Sequence, residues 1–431
     1  MKFQTPKGTR DFLPPEMIKR QFIFNTLRKV FESYGYDPLE TPAFEYWELL
    51  AAKGGGGEAV KDEIYYFKDK SDRELGLRFD LTAPMCRVLA VNPNLPRPFK
   101  RYQIGPVWRY EEVKSGKRYR EFWQCDIDAA GTASMSADAE ILAIGIAGMK
   151  ALGFTDFVIK LNNRKVLEAL VEAAGVKEGK FLPVCRAMDK IVKFGVKAVE
   201  DELEQAGVTG PQARKIIDIS SLSAKSNPET MKKLRGLLKG TKTGEEGVKE
   251  LEEILEFSKA YGIDKYIQVD PCLARGLDYY TGPIFETYIK GMEGVGSVLA
   301  GGRYDRLISI YGGPDTPATG ISFGVERLLE IMKERKMLPK RGTSTQIFVV
   351  SVKDDFRQDA ASVAAELRKN GMNSETDIMG RSMRKQLEFA SKCGIPYTLF
   401  VGEKELKDKK FTLRDMGSGK ERKLALKDIR L

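Results

Sequence analysis

Gly105-Pro106-Val107-Trp108-Arg109-Tyr110-Glu111 is followed by a short Lys- and Gly-containing connection and then by Arg118-Tyr119-Arg120-Glu121-Phe122-Trp123-Gln124-Cys125-Asp126-Ile127-Asp128. The first arm continues a crude alternation that begins at Phe99, so the pair reads as a β-hairpin with basic residues at its tip. A solvated hairpin would satisfy that pattern. A functional one would use Arg109 to grip a phosphate, its tip to touch a polyanion, and Phe122 as a flat face for a base.

Working outward, residues 64–130 read mainly as strands and tight connections, with Leu75 to Asp80 alternating. Upstream, Pro14 and Pro15 precede a helical stretch from Glu16 to Ser33, which Gly35 ends. Tyr36 to Pro42 is extended, because the residues before Pro38 and Pro42 are pushed out of the α region. Gly54 to Gly57 is a run of four glycines, but no Gly-Lys-Ser/Thr follows, so it reads as a turn and not as a phosphate loop. Downstream, Ser136 to Leu152 is a strong helix, and residues 163–260 are almost purely helical in pattern. Strands return at Tyr266–Val269 and Ile284–Ile289, and Gly324 to Arg335 is a helix. The fold class is therefore a strand-rich α+β domain over residues 1–335, carrying a helical insertion at about 163–260.

Residues 336–343 read as a linker, and 344–431 as a small α/β domain. Ile347–Val352 and Tyr397–Val401 are its strands, Asp355–Lys369 and Met383–Lys392 its helices. This tail has eighteen basic and thirteen acidic residues, about half of the chain's net charge of +10 in a fifth of its length. Such an excess suits a polyanionic partner as well as it suits a solvated surface.

The 431 residues include no histidine at all. That excludes a Ser-His-Asp triad, a histidine general base and a histidine metal ligand. Chemistry must rest on Arg, Lys, Tyr, carboxylates, backbone dipoles or a bound hard cation. Five scattered cysteines without a CxxC pair argue against a disulfide framework or a zinc site and suit a reducing cytosol. No apolar run is long enough to suggest a membrane span, and the N-terminus has no apolar core of a secretory signal.

Two more segments carry chemistry. Arg275-Gly276-Leu277-Asp278-Tyr279-Tyr280-Thr281-Gly282 places a tyrosine pair beside Arg-Gly; buried tyrosine hydroxyls need partners, so the pair suits a polar pocket. Gly320-Ile321-Ser322-Phe323-Gly324-Val325-Glu326-Arg327 is a strand running into a helix, with Arg327 placed to meet a triphosphate.

In this order the segments resemble those of the class II aminoacyl-tRNA synthetases, and specifically of the histidyl-tRNA synthetase family. Gly35 to Glu45 is similar to motif 1 with Pro42 as its proline, Arg109 to Asp128 to motif 2, and Gly320 to Arg327 to motif 3. Arg275 to Gly282, Ala300-Gly301-Gly302-Arg303-Tyr304-Asp305, Asn162-Asn163-Arg164 and Lys7-Gly8-Thr9-Arg10-Asp11 are also similar to the family. The resemblance implies an antiparallel catalytic sheet flanked by helices, a helical insertion, a C-terminal anticodon-binding domain and a homodimer. It implies activation of L-histidine by ATP with Mg²⁺, and transfer of the histidyl group to the 3′ end of tRNA(His). A rival member of the same superfamily is the non-catalytic regulatory subunit of ATP phosphoribosyltransferase, which usually lacks the anticodon domain.

The resemblance also implies residue roles. Asp80 and Thr82, flanking Leu81, would hold the substrate's amino group with help from Gln124. Asp128 and Tyr280 would face the imidazole, with Tyr279 and Tyr304 shaping the pocket. Arg109 would bind the α-phosphate, Arg275 would bridge it to the substrate carboxylate, Glu111 would help place ATP, Phe122 would stack on adenine, and Arg327 would bind the γ-phosphate. Many members carry Glu where Asp80 and Asp128 stand, and His where Tyr110 and Trp123 stand. Without histidine, and barring a strongly shifted carboxylate or cysteine, the pocket is expected not to titrate between pH 5 and 8.

Overall fold

The computed structural model describes residues 3–52, 62–110, 119–177, 179–219, 222, 226–274, 279–340 and 342–431. The chain forms two compact units, Met1–Arg10 with Ile23–Arg335, and Asp11–Phe22 with Lys336–Leu431. The sequence reading placed all of 1–335 in one unit; the short stretch Asp11–Phe22 groups instead with the tail, where Pro15 lies beside Gly342.

Two prolines open α1 (Pro14–Ser33), in the first turn where amide groups have no partner inside the helix. Gly35, at φ +74°, turns the chain out of it. In chain order the first unit continues with β1 (Asp37–Pro38), β2 (Phe44–Tyr46), α2 (Trp47–Ala52), β3 (Tyr66–Lys68), β4 (Glu74–Leu77), α3 (Thr82–Val91), β5 (Phe99–Trp108), β6 (Glu121–Ala130), α4 (Met135–Ala151) and β7 (Phe157–Asn163). The helices α5 (Arg164–Ala173), α6 (Phe181–Gln205), α7 (Pro211–Ile219), α8 (Asn227–Leu238) and α9 (Lys242–Ala260) follow. Then come β8 (Ile267–Val269), β9 (Pro283–Ile289), β10 (Leu299–Arg303), α10 (Leu307–Ile310), β11 (Ala318–Gly324) and α11 (Val325–Glu334).

Eight of these strands form one sheet in the order β1-β5-β6-β11-β10-β9-β7-β8. From β5 to β7 every pairing is antiparallel, while the edge strands β1 and β8 run parallel to β5 and β7. The helical stretch α5–α9 is thus the crossover between two neighbouring parallel strands, and α9 returns to pack on α4 and α5. A separate antiparallel sheet has the order β2-β4-β3.

Thr82–Val91 is helix where the sequence suggested strands and tight turns. Asp80 Oδ1 accepts the Ala83 amide at 2.9 Å and so satisfies one of the unpaired donors at the helix start. Pro84 fits the first turn, and Ala83, Met85, Cys86 and Leu89 bury one face.

The register of β6 and β11 sets the two faces of the sheet. Gln124 pairs with Gly324, Asp126 with Ser322, and Asp128 with Gly320. Side chains alternate along a strand, so Phe122, Gln124, Asp126 and Asp128 share one face. Cys125, Ile127, Ile321 and Phe323 turn to the other, where α4 packs on β11. Gly148 permits that approach: a Cβ there would lie 2.7 Å from Phe323 Cζ.

The second unit contains β12 (Ile347–Ser351), α12 (Arg357–Lys369), β13 (Ser374–Thr376), α13 (Met383–Lys392), β14 (Tyr397–Val401), α14 (Glu403–Asp408), β15 (Phe411–Asp415) and β16 (Glu421–Leu424). Its sheet has the order β13-β12-β14-β15-β16, parallel around β12 and antiparallel from β14 onward. β12 is buried on both faces. Ile347 and Val349 pack in one core with Ala360, Val363, Ala364 and Leu367 of α12, and Phe348 and Val350 in another with Ala390 of α13.

Candidate active site

Asp128 is buried on the polar face of β6 and paired on both oxygens. Arg101 Nη2 lies 2.7 Å from Oδ2, and the Tyr304 hydroxyl donates to Oδ1. Burial, and then the Asp128 charge, raise the Tyr304 pKa, so this hydroxyl stays a donor. Arg101 also donates to the Leu81 carbonyl at 3.1 Å, tying β5 to the start of α3. Opposite Asp128, a Cβ on Gly320 would overlap Oδ1, so only glycine leaves the carboxylate its place.

Asp126 lies two residues before Asp128 on the same face and is also buried. Burial pushes its carboxyl up to about 7; Arg101 opposes the rise, while the charges of Asp128 and Asp80 add to it. Burial makes Asp126 the strongly shifted carboxylate that the expectation of a non-titrating pocket set apart. The Ser322 hydroxyl, across the strand pair, favours its ionised form. Ser322 Oγ also accepts from Gln124 Nε2 at 2.9 Å.

Above this row opens a cavity of about 480 Å³. Arg109, Phe122, Gln124, Tyr279, Tyr280 and Arg327, all singled out from the sequence, line it. The Arg109 guanidinium sits 5.1 Å from the centre of the Phe122 ring, and its Nε donates to the Phe79 carbonyl at 3.0 Å. Arg327 donates to the Ser297 carbonyl on another wall. The hydroxyls of Tyr279 and Tyr280 are 3.3 Å apart, and the Tyr279 ring meets that of Tyr304 edge-on at 6.2 Å. Asp128 and Tyr304 are buried and lie off the cavity wall, while Asp80, Leu81 and Thr82 sit at the start of α3. Arg275 and Glu111 lie outside the described residues.

The remaining motifs brace this arrangement. Asn162 Nδ2 donates to the carbonyls of Pro271 and Leu273, and Arg164 Nη1 to that of Tyr280 at 3.0 Å, so Leu273 and Tyr280 are both held by this motif. Arg303 is buried against Asp138 and also reaches Asp305 and the Thr132 and Ser134 carbonyls. Gly8 accepts the Arg120 amide at 2.8 Å, and Arg10 lies 3.3 Å over the Tyr119 ring, which places Lys7–Arg10 along the second hairpin arm.

Sequence reasoning missed Arg101, Asp126, Ser322, Glu286 and Glu326. The alternation Gln124-x-Asp126-x-Asp128 could have revealed Asp126, since two carboxylates on one strand face compel a nearby cation. Glu286 and Glu326 are the acidic groups on the cavity wall. Among the described residues, no three carboxylate or thiol groups converge to hold a metal ion.

Comparison with known proteins agrees over nearly the whole chain. The family model described as histidyl-tRNA synthetase matches residues 8–328, and that described as anticodon binding domain matches residues 346–430. A histidine–tRNA ligase of Aeropyrum pernix is 41% identical over 421 residues, covering 96% of this chain and 94% of its own. One from Pyrococcus furiosus is 35% identical over 425 residues, covering 98% and 96%. The crystal structure of histidyl-tRNA synthetase from Nostoc sp. PCC 7120 superposes with a TM-score of 0.88 at 34% identity, covering 99% of this chain and 97% of the other.

Proposed function

Since the chain belongs to the histidyl-tRNA synthetase family and has its histidine–tRNA ligase activity, we propose how this cavity performs it. In the first step a carboxylate oxygen of L-histidine attacks the α-phosphorus of ATP. The new O–P bond forms as the bond to the bridging oxygen breaks, and pyrophosphate leaves. In the second, a hydroxyl of the 3′-terminal ribose of tRNA(His) attacks the acyl carbon and AMP leaves.

The observation that carries this reading is the contrast in charge within one space. Arg109 and Arg327 stand on the cavity wall, and buried carboxylates occupy the neighbouring sheet face. The first step brings two anions together and needs no proton from the nucleophile, so fixed guanidinium groups serve it without a titrating base. Arg109 binds the α-phosphate, held in place by the Phe79 carbonyl and by Phe122, on which the adenine stacks. Arg327 takes the γ-phosphate, and Arg275 and Glu111 complete the nucleotide site. Asp80 and Thr82, with the Leu81 backbone and Gln124, receive the ammonium; Asp128 and Tyr280 receive the imidazole, with Tyr279 and Tyr304 around them. Mg²⁺ would be bound together with the nucleotide. Glu286 and Glu326 on the cavity wall would help to hold it, and it would neutralise phosphate charge.

Residues 1–335 act as the catalytic part, 336–343 as linker and 344–431 as the anticodon-binding part. The partner surface of a homodimer is supported by the exposed aromatic face of the β2-β4-β3 sheet, where Phe44 and Tyr46 are half exposed and Phe44 meets Phe67 edge-on. Among the described residues no helix is long and apolar enough to cross a membrane. A reducing cytoplasm suits the five cysteines, which form no disulfide.

Histidine-dependent exchange of pyrophosphate into ATP tests the reading. Exchange that requires L-histidine, together with charging of tRNA(His), is the expected result. Absence of both would return the chain to the regulatory class.

A further inference from the structure

Gln124 Oε1 and Asp126 Oδ1 are buried acceptors with no hydrogen-bond donor among the described residues. The Ser322 hydroxyl stands between the two side chains. It accepts from Gln124 Nε2 at 2.9 Å, and it faces Asp126, its cross-strand partner, where it favours the carboxylate. A serine hydroxyl has one proton to donate. The ionised Asp126, across the strand pair, is the acceptor toward which that proton is drawn, so Ser322 accepts on its other side, where Gln124 Nε2 donates to it. Gln124 must then turn its NH₂ toward Ser322, and its carbonyl oxygen remains the unpaired acceptor at the cavity wall. A neutral donor at position 126 would reverse this chain. Ser322 would accept from it and donate to Gln124 Oε1, and Gln124 would present NH₂ to the substrate.

We propose that Asp126 and Ser322 are positioning residues that set the orientation of the Gln124 amide, so that Gln124 offers an oxygen and not an NH₂ to the α-ammonium of histidine. This rests on the reading above that Gln124 meets the amino group. The charged and titratable groups around Asp126 are Arg101 from β5, Asp128 on β6, Asp80 before α3, Arg78 after β4, and Tyr279. Protonation of Asp126 as the pH falls through about 7 acts as a neutral substitution would, so ammonium binding weakens on the acid side.

The test measures binding of L-histidine and of its des-amino analogue, 3-(imidazol-4-yl)propanoate, to the full chain. Asp126→Asn should weaken L-histidine about tenfold or more, the range for losing one matched buried hydrogen bond, and leave the analogue nearly unchanged. Ser322→Ala, which keeps every charge in place, should show the same ligand-selective loss and stands in if the first variant fails to fold. Adding Gln124→Glu to Asp126→Asn supplies oxygens in either orientation and should restore most of the lost affinity. The acid-side weakening of L-histidine binding should shrink in Asp126→Asn to what the imidazole itself causes. Equal losses for both ligands, unchanged L-histidine binding, or no restoration by Gln124→Glu would each overturn the relay. If the wild type shows no histidine-dependent pyrophosphate exchange, the ligase reading falls and the relay with it; exchange in the wild type with any of those three results sinks the relay alone.

Discussion

Arg101 and Asp128 are direct cross-strand partners on β5 and β6 and close an ion pair of 2.7 Å, with 1% and 5% of their side chains exposed. Removing one member of such a pair strands the other charge, which typically costs about 3–5 kcal/mol. Here the stranded charge would sit beside Asp126 and Asp80. Arg101→Met should lower the urea midpoint accordingly, and its folded fraction should not bind L-histidine. A wild-type midpoint would show that the pair adds nothing net.

Tyr304→Phe removes the donor to Asp128 Oδ1 and little volume. One lost buried hydrogen bond corresponds to about 1–3 kcal/mol. Steady-state kinetics should show a raised KM for histidine with the KM for ATP unchanged. A change confined to ATP would place Tyr304 with the nucleotide.

Gly320→Ala sets a methyl group where Asp128 Oδ1 now lies. The carboxylate must leave Arg101 and Tyr304 together, so histidine activation should fall far more than with Tyr304→Phe. Pyrophosphate exchange measured on both variants at saturating ATP decides this. Near-normal exchange in Gly320→Ala would mean that Asp128 does not need its present position.

Asp126 holds its proton more tightly in the folded chain, at about 7, than at the ordinary value of 3.8. Its contribution therefore favours folding in acid. The cost of the buried charge is present above pH 7 and is fully relieved only below 3.8. Asp126→Asn should melt at a higher temperature than the wild type at pH 8, and the difference should narrow as the pH falls toward 5. A difference independent of pH would assign the change to packing.

The tail's basic excess predicts tRNA affinity that falls steeply with salt. Because Asp11–Phe22 groups with the tail, deleting 344–431 would strip a partner from the N-terminal segment as well. Charge reversal is the cleaner experiment. Arg384 is 89% exposed on α13, so Arg384→Glu with Lys385→Glu should impair charging while pyrophosphate exchange stays near the wild-type rate. Equal loss of both activities would place these residues outside anticodon recognition.

The motifs were legible because their chemistry is local. Arg109 and Phe122 sit on the two arms of one hairpin, and Arg327 follows a strand-to-helix junction, so reading each segment recovered the cavity wall. What stayed hidden depends on register. Nothing in the sequence near Asp126 announces Ser322, which lies 196 positions away and meets it only through the β6–β11 pairing. Helix α3 was obscured for a different reason: the alternation of Leu75–Asp80 stops at a capping carboxylate, and a cap shows only once the hydrogen bond from Ala83 is seen. The grouping of Asp11–Phe22 with the tail is a long-range packing choice that no local pattern encodes.

Gly302 and Gly320 are cross-strand partners on β10 and β11, on the face that carries Asp128, and at both a Cβ would collide with backbone or with Asp128. This part of the sheet face therefore cannot be retuned by mutation, since every exchange adds atoms where none fit. Any divergence in which amino acid is accepted must run through the facing side chains, Asp128, Tyr280 and Tyr304. A library that randomises Tyr280 and Tyr304, and keeps an acid at Asp128 to hold Arg101, explores new specificities without stranding a buried charge, whereas one that randomises the glycines samples mainly the loss of the site.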